Sequence, residues 1–178
     1  MGLFSKKLHT TIQYNDMLIR HATFADVDQI AEMEKRCFSK EEAASKESFE
    51  GRIQTFPEHF WIMEMNEEMV AVINGCCTDS EHLTDEMYEN NTLHDENGKY
   101  QMLFGVLTAP EYQHKGYAST LMQYVMLDCK IQKRKAIVLN CKDKYVSFYE
   151  KFGYYIVGKS DSTHGGAQWY EMRLDLLV

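Results

Sequence analysis

Leu121, Met122, Val125, Met126 and Cys129 recur at three- and four-residue spacing, the apolar stripe of a helix over residues 117–131. Just upstream the period changes. Residues 101–108 form an extended-type apolar run that Ala109-Pro110-Glu111-Tyr112 breaks. The same reading applied to the rest of the chain gives a short strand at 17–20. A helix follows, carrying Val27, Ile30, Ala31 and Met33 inward and capped by Thr23 or Asp26. A second helical stretch at 40–55 stops before Pro57. Two apolar runs, 60–65 and 69–76, flank Asn66-Glu67-Glu68 as a β-hairpin. Later come a strand at 136–141, a helix at 144–151 that Gly153 can close in the left-handed conformation, and strands at 154–157 and 168–174.

Hairpin-paired strands early and strand–helix–strand units late predict an α/β (α+β) domain, a mixed and mostly antiparallel sheet with helices on both faces. Residues 1–16 are polar and aperiodic and read as an arm, leaving 17–178 as one domain. Residues 79–99 are acidic and turn-rich, a length that suits a lid or a substrate-side excursion, with a plain solvated insertion as the alternative.

Composition narrows the function classes. A net charge of −8 disfavours a general nucleic-acid binder, because phosphate backbones are repelled on average. The basic run Lys130, Lys133, Arg134, Lys135 reads as a helix C-terminus, where cations offset the dipole. Five cysteines with no C-x-x-C pair (Cys37, Cys76, Cys77, Cys129 and Cys141) read as small buried residues in a reducing compartment, not as disulfides or metal ligands. No run approaches a membrane span or a signal-peptide core. Met1-Gly2 lacks the Ser or Thr that myristoylation wants, since Lys6 stands there. The expectation is a cytoplasmic protein without a membrane or nucleic-acid partner and without a metal.

The chemistry concentrates between the strand at 101–108 and the helix that follows. Gln113-His114-Lys115-Gly116-Tyr117-Ala118-Ser119 forms a tight turn into a helix N-terminus, where unpaired N–H groups and the helix dipole suit a phosphate. The alternative is an ordinary strand-to-helix turn stabilised by Gly116. The motif resembles the acyl-CoA-binding Gln/Arg-x-x-Gly-x-Gly/Ala signature of the GNAT superfamily of N-acetyltransferases, with Gln113, Gly116 and Ala118 at its marked positions. Val146-Ser147-Phe148-Tyr149-Glu150-Lys151-Phe152-Gly153-Tyr154 is similar to the superfamily's Tyr-Glu-Lys-x-Gly-Phe segment. The resemblance covers residues 17–176 and implies the GNAT fold, its sheet splayed between the fourth and fifth strands. It also implies acetyl-CoA as cosubstrate.

Within the superfamily the chain looks most like the arylalkylamine (serotonin) N-acetyltransferase branch, through Cys141-Lys142-Asp143-Lys144-Tyr145-Val146-Ser147-Phe148-Tyr149, Arg36-Cys37-Phe38-Ser39 and Trp169-Tyr170-Glu171-Met172. That resemblance implies Tyr149 as general acid to the departing thiolate and Phe38 and Trp169 as aromatic walls around the amine. The branch's His-x-His falls on Met102 and Phe104, neither of which accepts a proton. His94, His164, Asp143 and several glutamates are the remaining candidates for a base, beside a water chain.

Acetyl transfer needs a pyrophosphate seat from His114 to Ser119 and a main-chain N–H near Val106 to polarise the thioester. It also needs Leu107 and Thr108 along the pantetheine, a neutral amine, and a proton for the thiolate from Tyr149. The expected function is acetylation of a small primary amine by direct attack on the thioester. The alternatives are a protein N-terminal or lysine acetyltransferase and a non-catalytic acyl-CoA-binding regulatory module. The oligomeric state stays open between monomer and homodimer.

Overall fold

The structure, a computed structural model, describes residues 11–177, with the side chain of His164 excepted. Eight strands build one sheet: β1 (Ile12–Tyr14), β2 (Met17–His21), β3 (Phe60–Met65), β4 (Glu68–Thr78), β5 (Tyr100–Thr108), β6 (Ala136–Cys141), β7 (Tyr155–Lys159) and β8 (Tyr170–Asp175). Their order is β1-β2-β3-β4-β5-β6-β8-β7. Every pairing is antiparallel except β5 with β6. The mixed, mostly antiparallel sheet read from the sequence is therefore present.

Alternation along β3 divides the core. Phe60 and Ile62 face one cluster with Val27, Ile30, Phe49 and Ile53, while Trp61 and Met63 face another with Leu121, Met122, Val125 and Tyr149. Helices α1 (Val27–Cys37) and α2 (Lys46–Thr55) thus cover one face. The other face carries α4 (Tyr117–Ile131) and α5 (Val146–Glu150). A short α3 (Asp85–Glu89) lies between β4 and β5 and adds Met87 to the first cluster.

Three readings change. Residues 12–14, taken as part of an arm, pair with β2 as β1, because Asn15 adopts φ 52° and turns the chain back. Residues 1–10 lie outside the described part. The helix expected from residue 40 begins at Lys46, because the Ser45 hydroxyl accepts the Ser48 N–H and caps it there. The freed segment before it runs along the cleft described below. Residues 79–99 are packed: Leu83 and Met87 are buried, and the buried guanidinium of Arg134 donates to the Glu96 and Gly98 carbonyls. Arg134 is therefore a clamp for this excursion and not a charge at the helix end.

His59, His94 and Glu96 add a second clamp, their ligand-type atoms lying within 4.8 Å of one another. His94 Nδ1 accepts the Cys77 N–H, which leaves Nε2–H to donate to Glu96 at 3.2 Å. His94, a candidate base, is thus committed to holding the excursion.

The β5–β6 ladder runs only from Tyr100↔Ala136 to Leu103↔Leu139. On the opposite edge of β5, Gly75 faces Leu103 and Asn74 faces Gly105, so Phe104 is an extra residue. This bulge re-aims β5 as it leaves β6, and the splay lies between these two strands, the fourth and fifth counted from Met17 as expected. Gly75 permits the close approach: a Cβ there would stand 1.7 Å from the Met102 carbonyl oxygen. Gly75→Ala is expected to lower the stability by about 2 kcal/mol or more, read as a fall in the urea midpoint at unchanged slope.

Candidate active site

The splay leads into a cleft of about 1020 Å³. Its walls come from the end of α1 and the loop before α2, from β5, from the N-terminal turn of α4, from the end of β6 with α5, and from Trp169 just before β8. Alternate N–H groups of β5 beyond Leu103 have no β6 strand to bond, so main-chain donors face the gap.

At the α4 end, His114 (φ 61°) and Gly116 (φ 85°) are both left-handed and wrap the chain tightly into the helix. The first intrahelical bond runs from the Thr120 N–H to the Gly116 carbonyl, which leaves the N–H groups of Tyr117, Ala118 and Ser119 open at the dipole's positive end. A Cβ on Gly116 meets no protein atom within 4 Å, so it is the left-handed backbone that favours glycine there. Gln113 spends its amide on the Thr108 carbonyl at 3.2 Å, tying the turn to β5.

Val106, Thr108, Gln113, His114, Gly116, Tyr117, Ala118 and Ser119 line the cleft together with Phe38, Tyr149 and Trp169. Two residues depart from the expectation. Leu107 points to the opposite face of β5 and is buried in the α1–α2 core, as strand alternation between Val106 and Thr108 requires. Lys115 lies outside the lining, its ammonium 5.2 Å from the centre of the Tyr112 ring. Neither side chain can be assigned to the cofactor path.

The titratable groups fall into clear states. Burial pushes the Tyr149 phenol well above the ordinary tyrosine value, so the group is protonated at neutral pH. Burial raises the Cys37 thiol, and it pushes the Cys141 thiol up to about 12. Both cleft cysteines are therefore thiols, not thiolates. Cys37 donates to the Thr108 carbonyl. Of the candidate bases, His94 and Asp143 do not line the cleft, whereas Glu34, Glu41, Glu42 and Glu89 do. The side chain of His164 lies outside the described residues.

Sequence reasoning missed Arg52, Asn74 and Tyr88, which all line the cleft. The signal was a single cation set among Phe49 and Ile53 on the inward face of α2; Arg52 is 3% exposed. Its guanidinium lies 4.8 Å from the centre of the Phe104 ring.

Residues 25–176 match the family described as "Acetyltransferase (GNAT) domain", and the chain belongs to this family. A serotonin N-acetyltransferase from Mesocricetus auratus is 32% identical over 110 residues, 61% of this chain and 51% of that protein. The match thus spans about half the length of the curated relative. The loading GNATL domain of CurA from Lyngbya majuscula superposes with a TM-score of 0.77 at 18% identity, covering 92% of this chain and 98% of that one. Arabidopsis thaliana Naa50, in complex with the bisubstrate analogue CoA-Ac-MVNAL, superposes with a TM-score of 0.68 at 16% identity, covering 90% and 99%. At these identities the two structures establish the shared fold.

Open N–H groups at a helix start suit an anion, and the turn that presents them needs the left-handed Gly116. Gly116→Ala is expected to weaken CoA binding at least tenfold by calorimetry, about 1.4 kcal/mol. Unchanged affinity in the folded variant would remove this loop from the cofactor site.

Proposed function

We propose that this GNAT-family chain transfers the acetyl group of acetyl-CoA to a small primary amine by direct attack on the thioester. One observation carries the reading. A single cleft joins an open helix N-terminus, an unpaired strand edge, a protonated buried tyrosine and two aromatic side chains.

In this reading the pyrophosphate sits on the N–H groups of residues 116–119, and the pantetheine follows the free edge of β5 past Val106 and Thr108. A main-chain N–H near Val106 donates to the thioester oxygen as charge develops on it, with the strand already holding the dipole in place. The neutral amine nitrogen forms the new C–N bond, the C–S bond breaks, and Tyr149 gives its proton to the departing sulfur. The proton shed by the acylated nitrogen passes to a cleft carboxylate and restores the phenol. Burial holds Cys37 and Cys141 as thiols, which disfavours an acyl-cysteine route and supports direct attack. Glu34, Glu41, Glu42 and Glu89 in the same cleft favour a cationic amine on entry and are the carboxylates within the cleft that can take its proton. Phe38 and Trp169 supply apolar walls for the amine's body.

A peptide acceptor and a non-catalytic acyl-CoA-binding module are the competing readings. Release of CoA thiol, followed across small amines, peptides and no acceptor, separates all three. A small amine should support the fastest release.

Tyr149→Phe keeps the ring packing and removes the proton, so kcat is expected to fall roughly 100-fold with CoA binding retained. Since the phenol's pKa is raised, any loss of rate from its ionisation should begin only above the ordinary tyrosine range near pH 10. An ordinary kcat in a stable variant would leave Tyr149 a core residue.

Trp169→Ala should raise KM for aromatic amines far more than for aliphatic amines of equal length. Equal effects on both classes would dismiss the aromatic wall.

A further inference from the structure

Among the described residues the cleft holds buried donors without an acceptor, on Arg52, Asn74 and Asn140, and the first two belong to side chains bonded to each other. Arg52 and Asn74 are 3% and 0% exposed, and both line the cleft. The Arg52 guanidinium donates to Asn74 Oδ1 at 3.4 Å and to the Tyr88 carbonyl at 2.9 Å, both neutral acceptors, while its Nε–H has no partner. Asn74 Nδ2 has none either. A buried donor left unmade costs free energy, and a buried cation served only by neutral groups costs more. Burial indeed lowers the Arg52 pKa, offset in part by the field of Glu34.

The Arg52–Asn74 bond ties the two side chains together and leaves Arg52 Nε–H and the Asn74 NH2 as their spare donors. Asn74 stands opposite Gly105 in the β4–β5 register, and its Nδ2 lies 3.3 Å from where a Gly105 Cβ would be. Gly105 immediately precedes Val106, the residue around which the thioester carbonyl is placed above. A guanidinium with a spare Nε–H, bonded to a side chain with a spare amide NH2, is a carboxylate-recognising pair. A plain amine offers it nothing, and a polyamine would be repelled by Arg52.

We propose that Arg52 and Asn74 form a carboxylate-binding subsite that selects an amine bearing a carboxylate close to its nitrogen, an amino-acid-type acceptor. The proposal rests on the acetyltransferase reading and narrows its substrate class. The proximity of Asn74 to the reacting strand limits the carboxylate to a few bonds from the attacking nitrogen. Glu41 and Glu89 line the same cleft, beside Glu34 and the Lys142-paired Glu42, and complement the ammonium end of such a zwitterion. The acyl donor offers a second source of the same chemistry, a dicarboxylic acyl group. The acceptor is favoured because Arg52 projects from α2, directly after the Phe38–Ser45 segment of the cleft wall. The CoA path, by contrast, is assigned to α4 and β5.

The experiment compares matched pairs, phenethylamine with phenylalanine and tryptamine with tryptophan, by CoA thiol release and by calorimetric binding to the CoA-loaded protein. The carboxylated member is expected to have the higher kcat/KM, or the tighter binding, by tenfold or more. Arg52→Met should shrink that ratio at least tenfold. Asn74→Ser, which keeps α2 intact, should shrink it severalfold. Arg52→Lys keeps charge without the fork and should fall between wild type and Arg52→Met. CoA affinity reports that each variant is folded.

Equal use and equal binding of both pair members by the wild-type protein would overturn the proposal. So would a ratio that survives both Arg52→Met and Asn74→Ser. A preference for succinyl-CoA over acetyl-CoA that Arg52→Met abolishes would also overturn it, by assigning the carboxylate to the acyl group. Selective binding of the amino acids without thiol release would uphold the subsite while refuting the acetyltransferase reading, so the two failures are distinct.

Discussion

The separation of β5 from β6 is the constraint on which the rest of the molecule turns. Two ladders compete for β5. Along β4 it is paired from Tyr100 to Thr108, and along β6 only from Tyr100 to Leu103. The extra residue at Phe104 lets β5 keep its β4 partner while swinging away from β6. A continuous sheet would have no cleft, and α4 would begin against a closed strand edge. With the bulge, unpaired main-chain groups and a helix N-terminus face one space. Gly75 makes the geometry possible on the β4 side, where even a methyl group would collide with the β5 backbone.

The segment between β4 and β5 supports this opening. It is acidic and looks solvated as sequence, yet its polar groups are largely spoken for. Arg134 takes two of its carbonyls, His59 and His94 converge on Glu96, and Tyr88 accepts from Arg52 and lines the cleft. Buried Gln101 donates to the Cys76 and Met102 carbonyls and receives both His59 and Cys77 on its oxygen. Such a connected set of polar contacts holds the excursion in one arrangement. Its position is therefore coupled to the same strands that form the cleft.

Electrostatically the cleft is divided. Several carboxylates line it, but its most deeply buried charge is the Arg52 cation, stacked on the ring of the bulge residue Phe104. Tyr149, Cys37 and Cys141 are all kept protonated by burial. Burial disfavours the charged form of each, leaving the carboxylates and Arg52 to set the field that a ligand meets.

Local periodicity was enough to place most of the elements. The stripe from Leu121 to Cys129 reads as α4 because helix spacing depends on neighbours four residues away. The alternation in 60–65 and the breaks at Pro57 and Pro110 likewise act within a few residues. The Gln113–Ser119 turn was legible for the same reason: its Gly116 and helix start are adjacent in sequence.

What periodicity could not reveal depends on pairings between distant residues. Residues 12–14 became a strand only because β2 offered an edge. Helix α2 lost residues 40–45 because Glu34 accepts the Ala44 N–H and Ser45 supplies the cap. Leu107 and Thr108 are neighbours that face opposite sides of a sheet, so only the register says which one meets the cleft. Arg52 stands between Phe49 and Ile53 in sequence, which hints at an inward position without saying what it meets. Its partners Asn74 and Phe104, 22 and 52 positions away, are supplied by the assembled sheet, and the local pattern names neither.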